Sequence, residues 1–165
     1  MKIRPATESE DPLLVAHYMA LWESYGVPPE HYRDDAEACV RAFITDGRQR
    51  HDAAIFFAEE DGEVLGSAAC QLHLSPYPQV IRPDIRRFGY VWSVYVRPEH
   101  RRRGIARALM QSAIAHLRAI GCTTLVLHSS DAGLSLYESL GFETAKEMRL
   151  TPVPAAPMPE STAFR

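Results

Sequence analysis

The sequence predicts an α/β domain: a mixed, mostly antiparallel central sheet with a parallel pair of strands in its middle, flanked by helices. Three observations carry that expectation. Asp61-Gly62 lies between two apolar runs rich in β-branched and aromatic residues, which is a hairpin signal. The apolar run Tyr90 to Val96, an amphipathic helix and a second apolar run Thr123 to His128 follow one another, and a crossover of that kind makes the two strands parallel neighbours. The chain has 165 residues, 46% of them hydrophobic and 24% charged, enough for one domain that needs no disulfide or structural metal to build its core.

The elements follow in order. KIRPAT alternates briefly and reads as an edge strand, ended by Pro5, with Thr7-Glu8-Ser9 offering an N-cap. From Asp11 to about Trp22, the spacing of Leu13, Leu14, Tyr18, Leu21 and Trp22 gives a helix one apolar face, and Val27-Pro28-Pro29 ends it. A second helix is expected from Asp34 to Ile44, stopping at Asp46-Gly47. Ala53 to Glu59 and GEVLGSAACQLHL form the hairpin. Ser75 to Arg87, with three prolines and four charges, reads as a long loop of the functional kind. Tyr90 to Val96 is too apolar on both faces for an exposed strand and is placed centrally. Gly104 to Ile120 carries a wide apolar stripe and ends at Gly121. Thr123 to His128 is a strand, Asp131 to Leu140 a short helix stopped by Gly141, and Phe142 to Leu150 a last strand. Residues 1–150 are thus one domain, and 151–165, with four prolines, an irregular tail.

Charge is unevenly spread. Residues 1–60 carry twelve Asp/Glu against six Lys/Arg, while residues 61–165 carry nine against twelve; Arg97 to Arg107 alone holds five arginines and one glutamate. A small anionic ligand fits this pattern better than a long nucleic acid, which the acidic remainder would repel. No apolar run approaches the length of a membrane span. Cys39, Cys70 and Cys122 form no CxxC pair, so a soluble, cytoplasmic, reducing setting is expected. Neither GxxxxGK[ST], GxGxxG, HExxH nor GxSxG occurs, which disfavours nucleoside triphosphate, dinucleotide, metalloprotease and serine-hydrolase chemistry; no metal site is expected.

In VYVRPEHRRRGIARALM a strand, a proline turn, a basic run, a glycine and a helix follow in immediate succession. The first amides of a helix lack internal partners and the helix dipole adds positive potential there, so the junction can cradle phosphate. Gly104 leaves room for close backbone approach, and Ala106 is small for the same reason.

Val96-x-Pro98-x-x-Arg101-x-x-Gly104-x-Ala106 resembles the acetyl-CoA motif of the GCN5-related N-acetyltransferases, [QR]xxGx[GA] after a central strand. LYESLGF, Leu136 to Phe142, is similar to that family's second signature, and the element order matches over roughly residues 2–150. The resemblance implies that acetyl-CoA is the acetyl donor. It assigns the pyrophosphate to the amides of Arg102, Arg103, Gly104, Ile105, Ala106 and Arg107, with Arg101 starting the loop. It further implies that the backbone of Val94, Tyr95 and Val96 pairs with the pantetheine arm as an added strand. Ser130 stands where some relatives place a pantetheine-binding asparagine.

Acyl transfer from a thioester needs a neutral amine and a proton for the departing thiolate. The resemblance puts Tyr137 at the sulfur as general acid. The family's glutamate on the fourth or fifth strand is missing from YVWSVYV and TTLVLH, so the base stays open among His73, His128 and a water held through Ser93. The expected function is transfer of acetyl from acetyl-CoA to a primary amine by direct attack. The acceptor is a small-molecule amine, a peptide N-terminus or a lysine; a nucleic acid or membrane partner is not expected, and a homodimer is left open. The alternative is a non-catalytic acyl-CoA-binding sensor or partner-binding module of the same fold, which the missing carboxylate favours.

Overall fold

The structure is a computed structural model and describes residues 1–150; the expected tail at 151–165 lies outside them. Period-two alternation gives the sheet two apolar faces. In β2 (Ala54–Glu60), Ile55 and Phe57 point to one side, while Phe56 and Ala58 point to the other. The strands β1 (Lys2–Pro5), β2, β3 (Glu63–Leu72), β4 (Phe88–Val96) and β5 (Thr124–Val126) lie side by side in sequence order. Only β4 and β5 run parallel. Asp61 and Gly62 both take positive φ in the β2–β3 turn, as a two-residue hairpin requires.

Helices α1 (Asp11–Ser24) and α2 (Ala36–Arg50) cover the Ile55/Phe57 face through Leu14, Val15, Val40 and Ile44. The opposite face is covered by α3 (Ile105–Ala119), whose Ile105, Leu109, Met110, Ala113 and Leu117 are all buried. Apart from Ala113, each such side chain contributes about 1.5–3 kcal/mol by leaving water. The short α4 (Asp131–Ser139) lies beyond β5 and packs Tyr137 against the α3 cluster.

Four expectations need correction. First, α2 does not stop at Asp46-Gly47 but runs to Arg50. Gly47 is there for space: a Cβ on it would stand 2.6 Å from Gln71 Oε1 and 3.1 Å from Ala53 Cβ. Second, residues 142–150 form no strand; residues 143–150 are exposed throughout, so they present no apolar face to the sheet. Third, among the described residues no strand is added beyond β5, so the parallel pair ends the five-stranded sheet instead of lying in its middle.

Fourth, β4 is central only in part. Its pairing with β5 covers Phe88, Gly89 and Tyr90 and then stops, although β4 continues to Val96. Apolar faces reported burial between helix layers, and burial of faces says nothing about whether an edge is paired. The pairing of β4 with β3 is also interrupted. Ser67 faces Tyr95 and Ala69 faces Trp92, so Ala68 stands opposite both Ser93 and Val94. This is a β-bulge, with Ser93 at φ +52°.

Candidate active site

Beyond Tyr90 the two parallel strands separate, and residues 91–96 of β4 line one wall of a cleft. The Arg97 N–H donates to the Leu65 carbonyl of β3 at 2.9 Å. By strand alternation the N–H and C=O of Val96 and Val94 therefore point away from β3 into the cleft, while those of Tyr95 point toward β3. The Val96 carbonyl accepts from Arg101 Nε at 3.1 Å, which fixes the start of the basic loop. Val94 and Val96 pack their side chains on the α3 face, and Tyr95 stacks on His17 with ring centroids 4.8 Å apart.

The loop closes on α3 through two left-handed residues, Arg102 at φ +64° and Gly104 at φ +79°. Among the described residues, no acceptor engages the amides of residues 102–107; the first intrahelical bond is Ala108 N–H to the Gly104 carbonyl at 3.1 Å. A Cβ on Gly104 would meet nothing within 4 Å, so the space before these amides is open. Arg103 is tied to Glu60 at 2.6 Å and Arg97 to Glu63 and Glu99. Arg101, Arg102 and Arg107 face no carboxylate among the described residues, although Arg107 reaches the Ser139 hydroxyl at 2.7 Å. Ile105 is buried in the core and Ala106 is partly buried. This arrangement suits a diphosphate: free amides at a helix start, with unpaired guanidinium groups around them.

On the α3 side of the cleft, Tyr137 is partly buried against the α3 cluster, with Phe142 in edge contact at 6.1 Å. Burial, then the neighbouring Tyr25 hydroxyl, pushes the Tyr137 phenol up to about 12. Ser130 caps α4, its carbonyl accepting from the Gly133 and Leu134 amides, and its hydroxyl lies beside Tyr25.

Across the sheet, on the α1/α2 side, stands a second polar group. Tyr90 is the last β4 residue paired with β5, and its hydroxyl is 2.5 Å from His128 Nδ1; His128 Nε2 is 3.0 Å from the Glu147 carboxylate. The His73 ring lies 5.5 Å from that of Tyr90. Burial, then His128, holds His73 below its ordinary value. Ser93 Oγ is buried at the bulge without a hydrogen-bond partner. Of the three sequence candidates for the base, His73 and His128 thus meet around Tyr90, while Ser93 stands apart at the bulge. The contacts of Tyr90 and Glu147 with His128 were not legible in the sequence, where the first lies in an apolar strand and the second in a segment expected to be a strand.

Beside that group, α1, α2 and Trp92 line an open apolar pocket of about 370 Å³, walled by Tyr18, Trp22, Tyr32, Phe43 and Trp92. Arg33, on its rim, is bound to Asp35 at 2.7 and 3.0 Å. Trp92 Nε1 and the Tyr32 hydroxyl are buried without partners. Burial pushes the Cys70 thiol up to about 12 and raises that of Cys122. Among the described residues, no group of three or more His, Cys, Asp or Glu is placed to hold a metal ion, and no helix is long and apolar enough to cross a membrane.

Comparisons with known proteins agree with this geometry. A glucosamine 6-phosphate N-acetyltransferase of Trypanosoma brucei brucei is 32% identical over 112 residues, 66% of this chain and 73% of that protein. An N-alpha-acetyltransferase of Sulfurisphaera tokodaii is 29% identical over 65% of this chain and 66% of its own length. A mycothiol acetyltransferase of Streptomyces coelicolor is 30% identical, but the match spans only 28% of that protein. The crystal structure of a GCN5-related N-acetyltransferase from Ralstonia eutropha JMP134 superposes with a TM-score of 0.76 at 27% identity, covering 92% of this chain and 97% of that one. A protein from Clostridium acetobutylicum described as a predicted acetyltransferase, solved with acetyl-CoA, shares the fold at a TM-score of 0.76 and 21% identity, covering 92% of this chain and 95% of that one. The family model for acetyltransferases of the GNAT family matches residues 14–142, and the chain belongs to that family.

Proposed function

We propose that this protein transfers acetyl from acetyl-CoA to a primary amine by direct attack. The observation that carries the reading is the continuity of two unsatisfied surfaces: the free amides of residues 102–107 run directly into the cleft-facing backbone of Val96 and Val94. A diphosphate joined to an amide-bearing arm matches both, and the space before Gly104 admits it. Acetyl-CoA would supply the activated acetyl thioester.

The residues then divide the work. Arg102, Arg103 and Arg107 surround the diphosphate, with Arg101 holding the loop to Val96. Tyr95 orients the strand through its stack on His17, and Ser130 offers a hydroxyl to the arm. Tyr137 donates a hydrogen bond to the developing thiolate. A phenol near 12 stays protonated at neutral pH, while a thiol near 8.5 is the stronger acid; the donor therefore stabilises the sulfur more than it surrenders its proton. Buried, protonated Cys70 and Cys122 are poor nucleophiles, which supports direct attack.

The acceptor's body belongs in the aromatic cavity. Its walls carry no carboxylate, and its one arginine is already paired, so an amine on an apolar body fits better than a phosphosugar. The test is release of CoA from acetyl-CoA in the presence of a panel of amines, with acetyl-CoA binding measured by calorimetry. Release with at least one amine is expected. Tight binding with no release for any amine would favour the acyl-CoA sensor, and ping-pong kinetics or a trapped acetyl-enzyme would overturn direct attack.

A further inference from the structure

We infer that the aromatic pocket between α1, α2 and Trp92 takes an arylalkylamine bearing a neutral oxygen, such as a phenol, on its ring, and that the Trp92 N–H and the Tyr32 O–H are the donors that select this oxygen. As acetyl acceptor this amine rests on the acetyltransferase reading above; as ligand of the pocket it does not.

The walls favour a flat ring. Trp92 stands edge-on to Tyr18 at 5.8 Å and to Phe43 at 5.0 Å, and Tyr18 stands edge-on to Trp22 at 6.2 Å. An aromatic ring among them extends the edge-to-face contacts, which an aliphatic body cannot do. Two polar groups on the same walls have no partner: Trp92 Nε1 and the Tyr32 hydroxyl are both buried and unbonded. An indole N–H only donates. Burial, then Glu23, raises the Tyr32 phenol, so it too keeps a proton to give. Unpaired buried donors are costly, and an oxygen on the ligand removes that cost. Water reaches neither group as the side chains stand; Phe43, beside Trp92 and 46% exposed, is the ring that turns outward to admit the oxygen.

Charge narrows the class further. Arg33 is the one permanently charged residue on the pocket wall among the described residues, and Asp35 holds it at 2.7 and 3.0 Å, so no free cation waits for an anionic group. An adjoining recess shares Met19, Tyr32 and Ala36 with the pocket and carries Glu23, Asp34, Asp35 and Glu37. Asp35 and Glu37 are paired with Arg33 and Arg41, whereas Glu23 and Asp34 face no cation among the described residues. The surroundings are therefore negative, which favours an ammonium group and opposes a carboxylate. An arylalkylamine is taken and the corresponding aromatic amino acid is not. Tyr18 sets the direction of the amine. It walls the pocket, and its hydroxyl lies close enough to Tyr90 to add to the effect of burial in raising that phenol. Tyr90 is the last β4 residue paired with β5, so a ring seated against Trp92 places an amine on a short tether at the cleft.

The chain's two tryptophans, Trp22 and Trp92, both line the pocket, so intrinsic tryptophan fluorescence reads its occupancy directly. With CoA present, which has no acetyl group to transfer, tyramine should bind about tenfold tighter than phenethylamine, and tyrosine about tenfold weaker than tyramine or worse. Trp92→Phe and Tyr32→Phe keep a ring in place and delete one donor each; Trp22 remains as reporter in the first. Each should cut the preference for tyramine over phenethylamine to about threefold or less, while the affinity for phenethylamine holds and shows the pocket intact. Equal wild-type affinities for tyramine and phenethylamine, a preference unmoved in either variant, or tyrosine binding as well as tyramine would overturn the proposal. The acetyltransferase reading fails separately. Discrimination among these ligands with no CoA released from acetyl-CoA leaves the pocket assigned and removes the reaction, whereas CoA release with other amines and no discrimination removes the assignment of the pocket alone.

Discussion

Tyr137 separates chemistry from packing. Its ring contacts Phe142 and the α3 cluster, and Tyr137→Phe preserves those contacts. Because burial has already moved the phenol up to about 12, full proton transfer to sulfur is unfavourable, and the expected loss is about 100-fold in kcat, the low end for a lost acid. A silent substitution would make Tyr137 a core residue; a change confined to the amine KM would make it a substrate contact. His17 is a second residue whose surroundings decide its charge. It is buried, hydrogen-bonded to Ser67 at 2.9 Å, and lowered to about 4 by burial and then by Arg97. The unfolded chain binds this proton near 6.5 and the folded chain only near 4, so stability is lost as pH falls between those values and levels off below them. The loss is on the order of 3 kcal/mol. Urea melts at pH 7.5 and 4.5 should show a smaller drop for His17→Gln than for the wild type; parallel drops would exclude His17 as the cause.

At the scale of elements, the proposed function rests most heavily on the junction of β4 and α3. Gly104 is required twice over, by its φ of +79° and by the open space its missing Cβ leaves before the amides. Gly104→Val combines a strained backbone with a side chain in that space and should weaken acetyl-CoA binding more than Arg102→Ala, which removes one screened charge. Gly104→Asn keeps the left-handed turn at lower strain, so a folded Asn variant that still binds poorly isolates the steric effect. Unchanged calorimetric affinity in both variants would contradict the cradle. The motif at residues 96–106 was legible because strand, turn and helix dipole are local. The bulge at Ser93 was not, since it is defined by which β3 residue stands opposite, and that is a matter of pairing across 25 residues.

For the molecule as a whole, the proposed function divides two tasks between the faces of the sheet: Tyr137 at the thiol on the α3 face, and the aromatic cavity at the amine on the α1/α2 face. Filling the cavity should therefore affect one substrate alone. Ala36→Trp, at the start of α2 and on the cavity wall, is expected to raise the acceptor KM severalfold with no change in acetyl-CoA affinity. An equal loss of both would mean that the cavity and the cleft are not independent.

Local chemistry determined much of this protein from sequence alone. Apolar alternation, the Asp61-Gly62 turn, the amphipathic α3 and the basic glycine junction each act over fewer than about twenty residues, so they identified the antiparallel hairpin, the β4–α3–β5 crossover and the expected phosphate cradle. The tertiary structure decided what depends on residues distant in the chain. Gly47, read as a helix stop, sits inside α2 where Gln71 and Ala53 leave no room for a Cβ. β4, read as central, is open on its β5 side along two thirds of its length because β5 is only three residues long. Glu147 meets His128 across 19 residues of helix and irregular chain, and His128 meets Tyr90 across 38. No periodicity records such a meeting, because it is produced by packing two faces of a sheet and not by the preferences of any one segment.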